Sequence, residues 1–193
     1  MEDNFKFKKQ RRSKSHNRLN FFTKWLQSPK YNTFIENVNI LPFKCPLTSE
    51  FNSKLDKRER FFWKDIYEFS VEMNKPITDV IDLTDIDKYY SAEQLDPYDI
   101  NHHKFLLDRR NIPDDKTVNQ IIDKMDEILK NGGIVGIHCL HGRNRTGYIV
   151  CSYLIKKLGW KPLVALEAFG KARGEKISKK QYIRTILELE KKS

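Results

Sequence analysis

The residues with the clearest chemical content form one ten-residue run, His138-Cys139-Leu140-His141-Gly142-Arg143-Asn144-Arg145-Thr146-Gly147. A branched apolar stretch ending at Cys139 precedes it and reads as a buried strand, and the apolar residues after it read as a helix. A thiol therefore stands at the pivot of a strand, a loop and a helix. The first amides of a helix have no intrahelical partner and the helix dipole adds positive potential, so a tight loop there cradles an anion such as phosphate. A cysteine at the floor of that cradle, beside cations, ionises below its free pKa of ~8.5 and becomes a thiolate nucleophile. Arg145, six residues on, returns over the loop. Its planar fork holds two non-bridging phosphate oxygens at once, which a lysine does only as a point charge, and so stabilises a transferring phosphoryl group. Cys139 and Arg145 are thus the catalytic candidates, and Leu140, His141, Gly142, Arg143, Asn144 and Arg145 the phosphate-binding set. Thr146 is placed to steady the thiolate and His138 to tune it by hydrogen bonding, while His141 points into the loop or to solvent.

The elements that must position this loop follow from periodicity. Residues 133–139 give the strand, and helices are expected at about 145–158, 162–173 and 178–191, punctuated by Gly159 and Gly174. Upstream, acidic residues after Pro113, a one-sided apolar face from Val118 to Leu129 and terminal glycines define another helix. The run 77–84 reads as a buried strand and 102–108 as a weaker one. Residues 48–74 carry apolar side chains at roughly helical spacing behind Thr48 or Ser49 as cap, and predict one helix. Residues 31–46, with two prolines, suit an extended segment along the domain rather than a central strand. Strands alternating with helices predict an α/β architecture. Asp82, a carboxylate in an apolar strand, needs a partner: it either orients the phosphate loop or its arginine, or makes a structural hydrogen bond to a neighbouring loop.

Composition narrows the class further. The chain has 193 residues with 36 Lys and Arg against 26 Asp and Glu, a formal charge of +10, and this favours an anionic partner or substrate. Half of that charge comes from residues 1–20, where seven cations between positions 6 and 18 are spaced by Ser, Asn and His. We expect residues 1–28 to be a basic, disordered arm and 29–193 a single domain. The arm reads as a nuclear import signal, a nucleic-acid attractor or a solubilising tail. Hydrophobic residues make up 39% of the chain, too many for wholesale disorder. Three cysteines, Cys45, Cys139 and Cys151, show no CxxC spacing and imply neither a disulfide framework nor structural zinc, so a reducing compartment is expected. Cys45 and Cys151 read as packing residues. No apolar signal core follows the N-terminal charges and no run of ~18 apolar residues occurs, so neither secretion nor a membrane is expected.

The run HCLHGRNRTG resembles the HCxxGxxRTG signature of the cysteine-dependent protein tyrosine and dual-specificity phosphatase superfamily. That resemblance implies the protein tyrosine phosphatase-like fold, a central mostly parallel sheet flanked by helices, and a cysteinyl-phosphate intermediate that water hydrolyses. IDLTDIDKYY (81–90), NRTGY (144–148), ARGEKISKKQY (172–182) and FKCPL (43–47) resemble the branch holding the RNA 5′-triphosphatase domain of animal mRNA-capping enzymes. The branch also includes a baculovirus RNA 5′-phosphatase and a nuclear phosphatase that interacts with RNA–RNP complexes. The chain departs from it at Leu140, where the branch usually has Thr, and at Glu175 and Ser178, where it has His and Glu.

The branch implies removal of the γ and then the β phosphate from RNA with a 5′-triphosphate or diphosphate end, without metal or other cofactor, and a nuclear or otherwise cytoplasmic location with ribonucleoprotein complexes as partners. Arg143 and the pair Arg109-Arg110 then meet the outer phosphates or the RNA backbone, or stay solvated. The alternatives are a dual-specificity protein phosphatase and a non-catalytic RNA-binding or scaffold protein; intact Cys139 and Arg145 argue against the latter. A protein phosphatase needs an acid for its leaving oxygen, which the superfamily draws from an Asp upstream of the cysteine, here Asp108, Asp114 or Asp115. Asp114 and Asp115, at the start of a helix, suit cap and dipole roles as well, and Asp108, at the end of a strand, is equally open to a structural role. A phosphoanhydride leaves without a proton donor, so a weak acid loop favours the triphosphate end. No KxDG lysine motif of a guanylyltransferase is present.

Overall fold

The computed structural model describes residues 23–189. Four parallel strands, β1 (Ile40–Lys44), β2 (Asp79–Asp82), β3 (Asn101–Lys104) and β4 (Val135–Cys139), form one sheet in the order β1-β4-β2-β3. Residues 23–27 form a short helix, α1. The other helices are α2 (Ser49–Asn52), α3 (Trp63–Glu72), α4 (Asp115–Lys130), α5 (Asn144–Lys156), α6 (Pro162–Arg173) and α7 (Lys180–Glu188). The α/β architecture is as expected.

β4 and β2 lie in the middle with every residue buried, the pattern of parallel strands covered on both faces. One apolar layer joins Ile81, Ile137 and Val135 to α4, α5, α6 and α7. The other joins Phe43, Leu41 and Val80 to Trp25, Trp63, Ile66 and the aromatic loop at Tyr89 and Tyr90. α5 is buried from Arg145 through Ile155, as a helix packed on all sides must be. The cysteine strand and the helix that follows it are therefore enclosed deep in the domain.

Two expectations are corrected and a third is made specific. The stretch 48–74 is two helices, because fully buried Asn52 donates to Leu47 O and Phe61 O while its Oδ1 accepts from Phe61 N, closing a loop where a continuous helix would run. Residues 31–46, expected to be extended but not a central strand, contribute β1 at the sheet's edge, where Pro42, which lacks a donor, is accommodated and the strand pairs in register with β4. Residues 23–28, assigned from sequence to the arm, belong to the domain. Trp25 is fully buried and donates Nε1–H to Cys45 O, and Lys44 Nζ donates to Trp25 O and Ser28 O with its charge 3.6 Å from the Trp25 ring centre. The arm's residues 1–22 and the end of the last expected helix lie outside the described residues.

Candidate active site

Cys139 closes β4, and α5 starts five residues later. Gly142 makes the turn between them: its φ is +65°, and a Cβ there would collide with Phe43 O, so only glycine fits. The loop's carbonyls are drawn outward by Arg173, a fully buried cation at the end of α6. Its Nε donates to Gly142 O at 2.9 Å, and its Nη2 donates to His141 O at 2.8 Å and Pro29 O at 2.7 Å. On the other side Leu140 O accepts from Cys45 N. With its carbonyls held out, the loop turns amides inward, and no side chain caps the start of α5.

Cys139 is 4% exposed. Burial alone would push its thiol up, but the Arg145 guanidinium and hydrogen bonds from Thr146 and the Arg143 amide outweigh it, so the thiol pKa lies below its ordinary value. Burial instead pushes Cys45 and Cys151 well up, and both are inert packing groups. All three cysteines are free. Arg145 is oriented by carbonyls: Nη1 donates to Leu83 O at 2.9 Å and Leu107 O at 2.6 Å, with Asp85 Oδ1 3.7 Å away. Both Nη1 hydrogens are thus spent on carbonyls, and bidentate binding of an oxyanion would fall to the Nε–Nη2 edge. His141 is held neutral, its pKa lowered to about 4 by burial and by Arg145, Lys24 and Arg143.

Asp82 does not touch Arg145 directly. Burial would raise its carboxyl, but His138, His102, Lys104 and the Thr84 amide hold it well below the usual carboxylate range. Tyr90 donates its phenol proton to Asp82 Oδ2 at 2.8 Å, and the phenol oxygen lies 2.9 Å from His138 Nε2. His138 is fully buried behind the nucleophile and neutral, its pKa lowered to about 4 mainly by burial. Of the acid candidates, Asp108 is exposed and accepts from Arg110 N and Asn111 Nδ2. Asp114 caps α4 through Thr117 N, and Asp115 follows it in the helix's first turn, 3.8 Å from Lys156.

Cys139 opens into a cleft of about 1600 Å³. Arg143 and Arg145 line it from the loop, Lys24 from α1, Lys54 and Lys88 from one wall, and Arg109, Arg110 and Lys179 from the other. Among the described residues Glu50 is the one carboxylate in that lining, and it is paired with Lys54 at 3.0 Å. None of Asp108, Asp114 and Asp115 lines it. The turn after α6 is tied to the loop: Arg143 lies 3.5 Å from Glu175, and Asn144 Oδ1 accepts from Ser178 N and Lys179 N. The two departures at 175 and 178 thus face the loop itself. Sequence reasoning missed Arg173, although its spacing from Ala165 and Phe169 puts a cation on the apolar face of α6. It also missed Lys44, Asp85, Tyr90 and Lys104, which carry no local signal. Among the described residues no cluster of three or more metal-ligating side chains occurs, and no helix is long and apolar enough to cross a membrane.

Comparison with known proteins agrees with this geometry. The family model for the dual specificity phosphatase catalytic domain matches residues 63–192. The RNA/RNP complex-1-interacting phosphatase of Rattus norvegicus is 37% identical over 153 residues, which cover 77% of this chain and 47% of that protein. The chain therefore spans about half the length of that relative. A tyrosine-protein phosphatase of Autographa californica nuclear polyhedrosis virus is 33% identical over 169 residues, covering 86% of this chain and 99% of the viral one. Among solved structures, Tk-PTP in its active form superposes with a TM-score of 0.63 at 19% identity over 86% of this chain and 99% of that one, a likeness of fold. A cysteine of lowered pKa at the strand–helix loop beneath an arginine fork, on this sheet and with these relatives, places the chain in the dual specificity phosphatase family of cysteine-dependent hydrolases.

Proposed function

We propose that this domain is an RNA 5′-triphosphatase that also removes the β phosphate. The observation that carries this reading is the cleft above Cys139: its lining has eight Lys and Arg to one carboxylate, and none of the three acid candidates. A tyrosine or serine oxygen is a poor leaving group and asks for a placed acid, whereas the oxygen of a phosphoanhydride departs as an anion. The cations extend past the loop, as a polyanion requires and a single phosphate does not. The name of the rat relative joins it to RNA and RNP complexes.

In the first step Cys139 Sγ attacks the γ phosphorus in line. The S–P bond forms, the bridging P–O bond breaks, and RNA with a 5′-diphosphate leaves with the electron pair. Arg145 holds two equatorial oxygens on its Nε–Nη2 edge and the loop amides hold the rest. Water then attacks the cysteinyl phosphate, releasing orthophosphate, a proton and the thiolate. Thr146 supports the thiolate in both states; Arg143, Arg109 and Arg110 take the remaining phosphates. The Asp82, Tyr90 and His138 network fixes the strand beneath. The basic arm directs the protein to RNA or to the nucleus.

The dual-specificity protein phosphatase reading is favoured by the name of the viral relative, and one experiment separates the two. Terminally labelled triphosphate RNA and a phosphotyrosine peptide are assayed side by side in a chelator. The expected result is orthophosphate release from RNA with kcat/KM at least about a hundredfold above the peptide, the size of an ordinary general-acid contribution. Preference for the peptide, or RNA turnover only with added metal, refutes the proposal.

A further inference from the structure

We propose that Lys104 is a positioning residue for Arg145, a built-in cation that fixes the gap between the ends of β2 and β3. Lys104 and Asp82 are register partners on these neighbouring strands. The Lys104 ammonium collects oxygens from the turn that leaves β2: Asp82 Oδ2 at 2.9 Å, Thr84 Oγ1 at 2.6 Å, Asp87 Oδ1 at 3.1 Å and Ile86 O at 3.3 Å. Just past the two strand ends lie the carbonyls that orient the arginine, Leu83 O and Leu107 O, 2.9 and 2.6 Å from one nitrogen, Arg145 Nη1. Both must be in place together for Nη1 to be held and the Nε–Nη2 edge to face the cradle. β3 is an edge strand with no buried residue, and the chain beyond it is anchored by the Phe105 N bond to Asp82 O and by the buried Leu107 side chain. Beside these anchors the Lys104–Asp82 charge pair ties the strand ends side chain to side chain, at a site largely shielded from water: the Asp82 side chain is 2% exposed and that of Lys104 21%. A separate cavity of about 330 Å³ lies beside this ammonium, lined by Asp82, Asp87, Tyr90 and His102.

This inference rests on Arg145 holding the phosphoryl group, as proposed above. The test compares Lys104→Ala with Lys104→Gln, which keeps a donor but no charge, on triphosphate RNA and on p-nitrophenyl phosphate. Folding is followed by circular dichroism, and affinity for tungstate reports the oxyanion clamp. In the folded variants kcat should fall roughly ten- to hundredfold and tungstate affinity by a similar factor, since small misplacements of a clamp cost that much. Ethylammonium, entering the cavity beside the vacated position, should restore Lys104→Ala several-fold, and tetramethylammonium, which has no N–H donor, should not. Wild-type kcat and tungstate affinity in the folded variants overturn the inference. So does a loss of kcat without loss of tungstate affinity or without ethylammonium rescue, which marks a purely structural lysine. If Arg145→Ala itself remains active, the clamp reading of the proposed function fails instead.

Discussion

Replacing Arg173 with Met tests whether the phosphate loop is held open from behind. The methionine keeps most of the apolar stem but leaves three carbonyls, Pro29 O, His141 O and Gly142 O, without their shared donor. Gly142 O is buried and the other two acceptors are half-buried, so at about 1–3 kcal/mol for a fully buried acceptor about 4 kcal/mol is lost. Against this, burial lowers the guanidinium's pKa to about 10, only partly offset by Glu175, and removing that buried charge returns on the order of 2–3 kcal/mol. The net destabilisation is about 1–2 kcal/mol, which for a domain of this size lowers Tm by roughly 2–8 °C. Because two of the three carbonyls belong to the loop, kcat/KM should also fall at least about tenfold at temperatures where the variant is fully folded. Thermal unfolding by circular dichroism gives the first number, and phosphate release from triphosphate RNA, measured well below the variant's Tm, the second. A variant with Tm and kcat/KM both indistinguishable from wild type refutes the reasoning; a stability loss alone makes Arg173 a packing residue.

Further outcomes follow from the same geometry. Cys139→Ser should abolish turnover while leaving folding and RNA binding near wild type, and appreciable residual rate removes Cys139 as nucleophile. Arg145→Lys should lose most activity, since a point charge replaces the fork, and calorimetry should show weaker tungstate binding. Thr146→Ala removes the hydroxyl's share in lowering the Cys139 thiol pKa and keeps that of the backbone amide, so the acid limb of the kcat/KM profile should move to higher pH: activity drops most at low pH and recovers as pH rises. Asp108→Asn, Asp114→Asn and Asp115→Asn should each cost less than about tenfold on triphosphate RNA, and a loss of about a hundredfold in any of them contradicts the leaving-group argument. Deleting residues 1–20 should raise KM for long RNA and flatten its salt dependence, by a slope of about 0.7 for each RNA phosphate that the arm engages, with nucleoside triphosphate turnover unchanged.

The chemistry of the loop was local and so was legible in the sequence. A buried strand, a cysteine, a glycine that must turn with positive φ and an arginine opening a helix are near neighbours in the chain, and backbone geometry alone brings them into one cradle. The strands and helices at 77–84, 115–130, 133–139 and 162–173 were equally legible, because each has its own period and its own stop. The single helix expected over 48–74 does not form, since apolar spacing does not report that Asn52 is buried with three backbone hydrogen bonds. Nor does charge density show that a basic segment ends at Trp25, whose ring is taken into the core by Lys44 and Cys45. The supports of the site were decided only by tertiary structure. Arg173 reaches the loop from 31 residues away and Arg145 finds its carbonyls 62 and 38 residues away. Such partners are chosen by how strands order themselves in the sheet and which helix ends meet there. Residue type alone says which groups need a partner when buried; packing decides which partner each one meets.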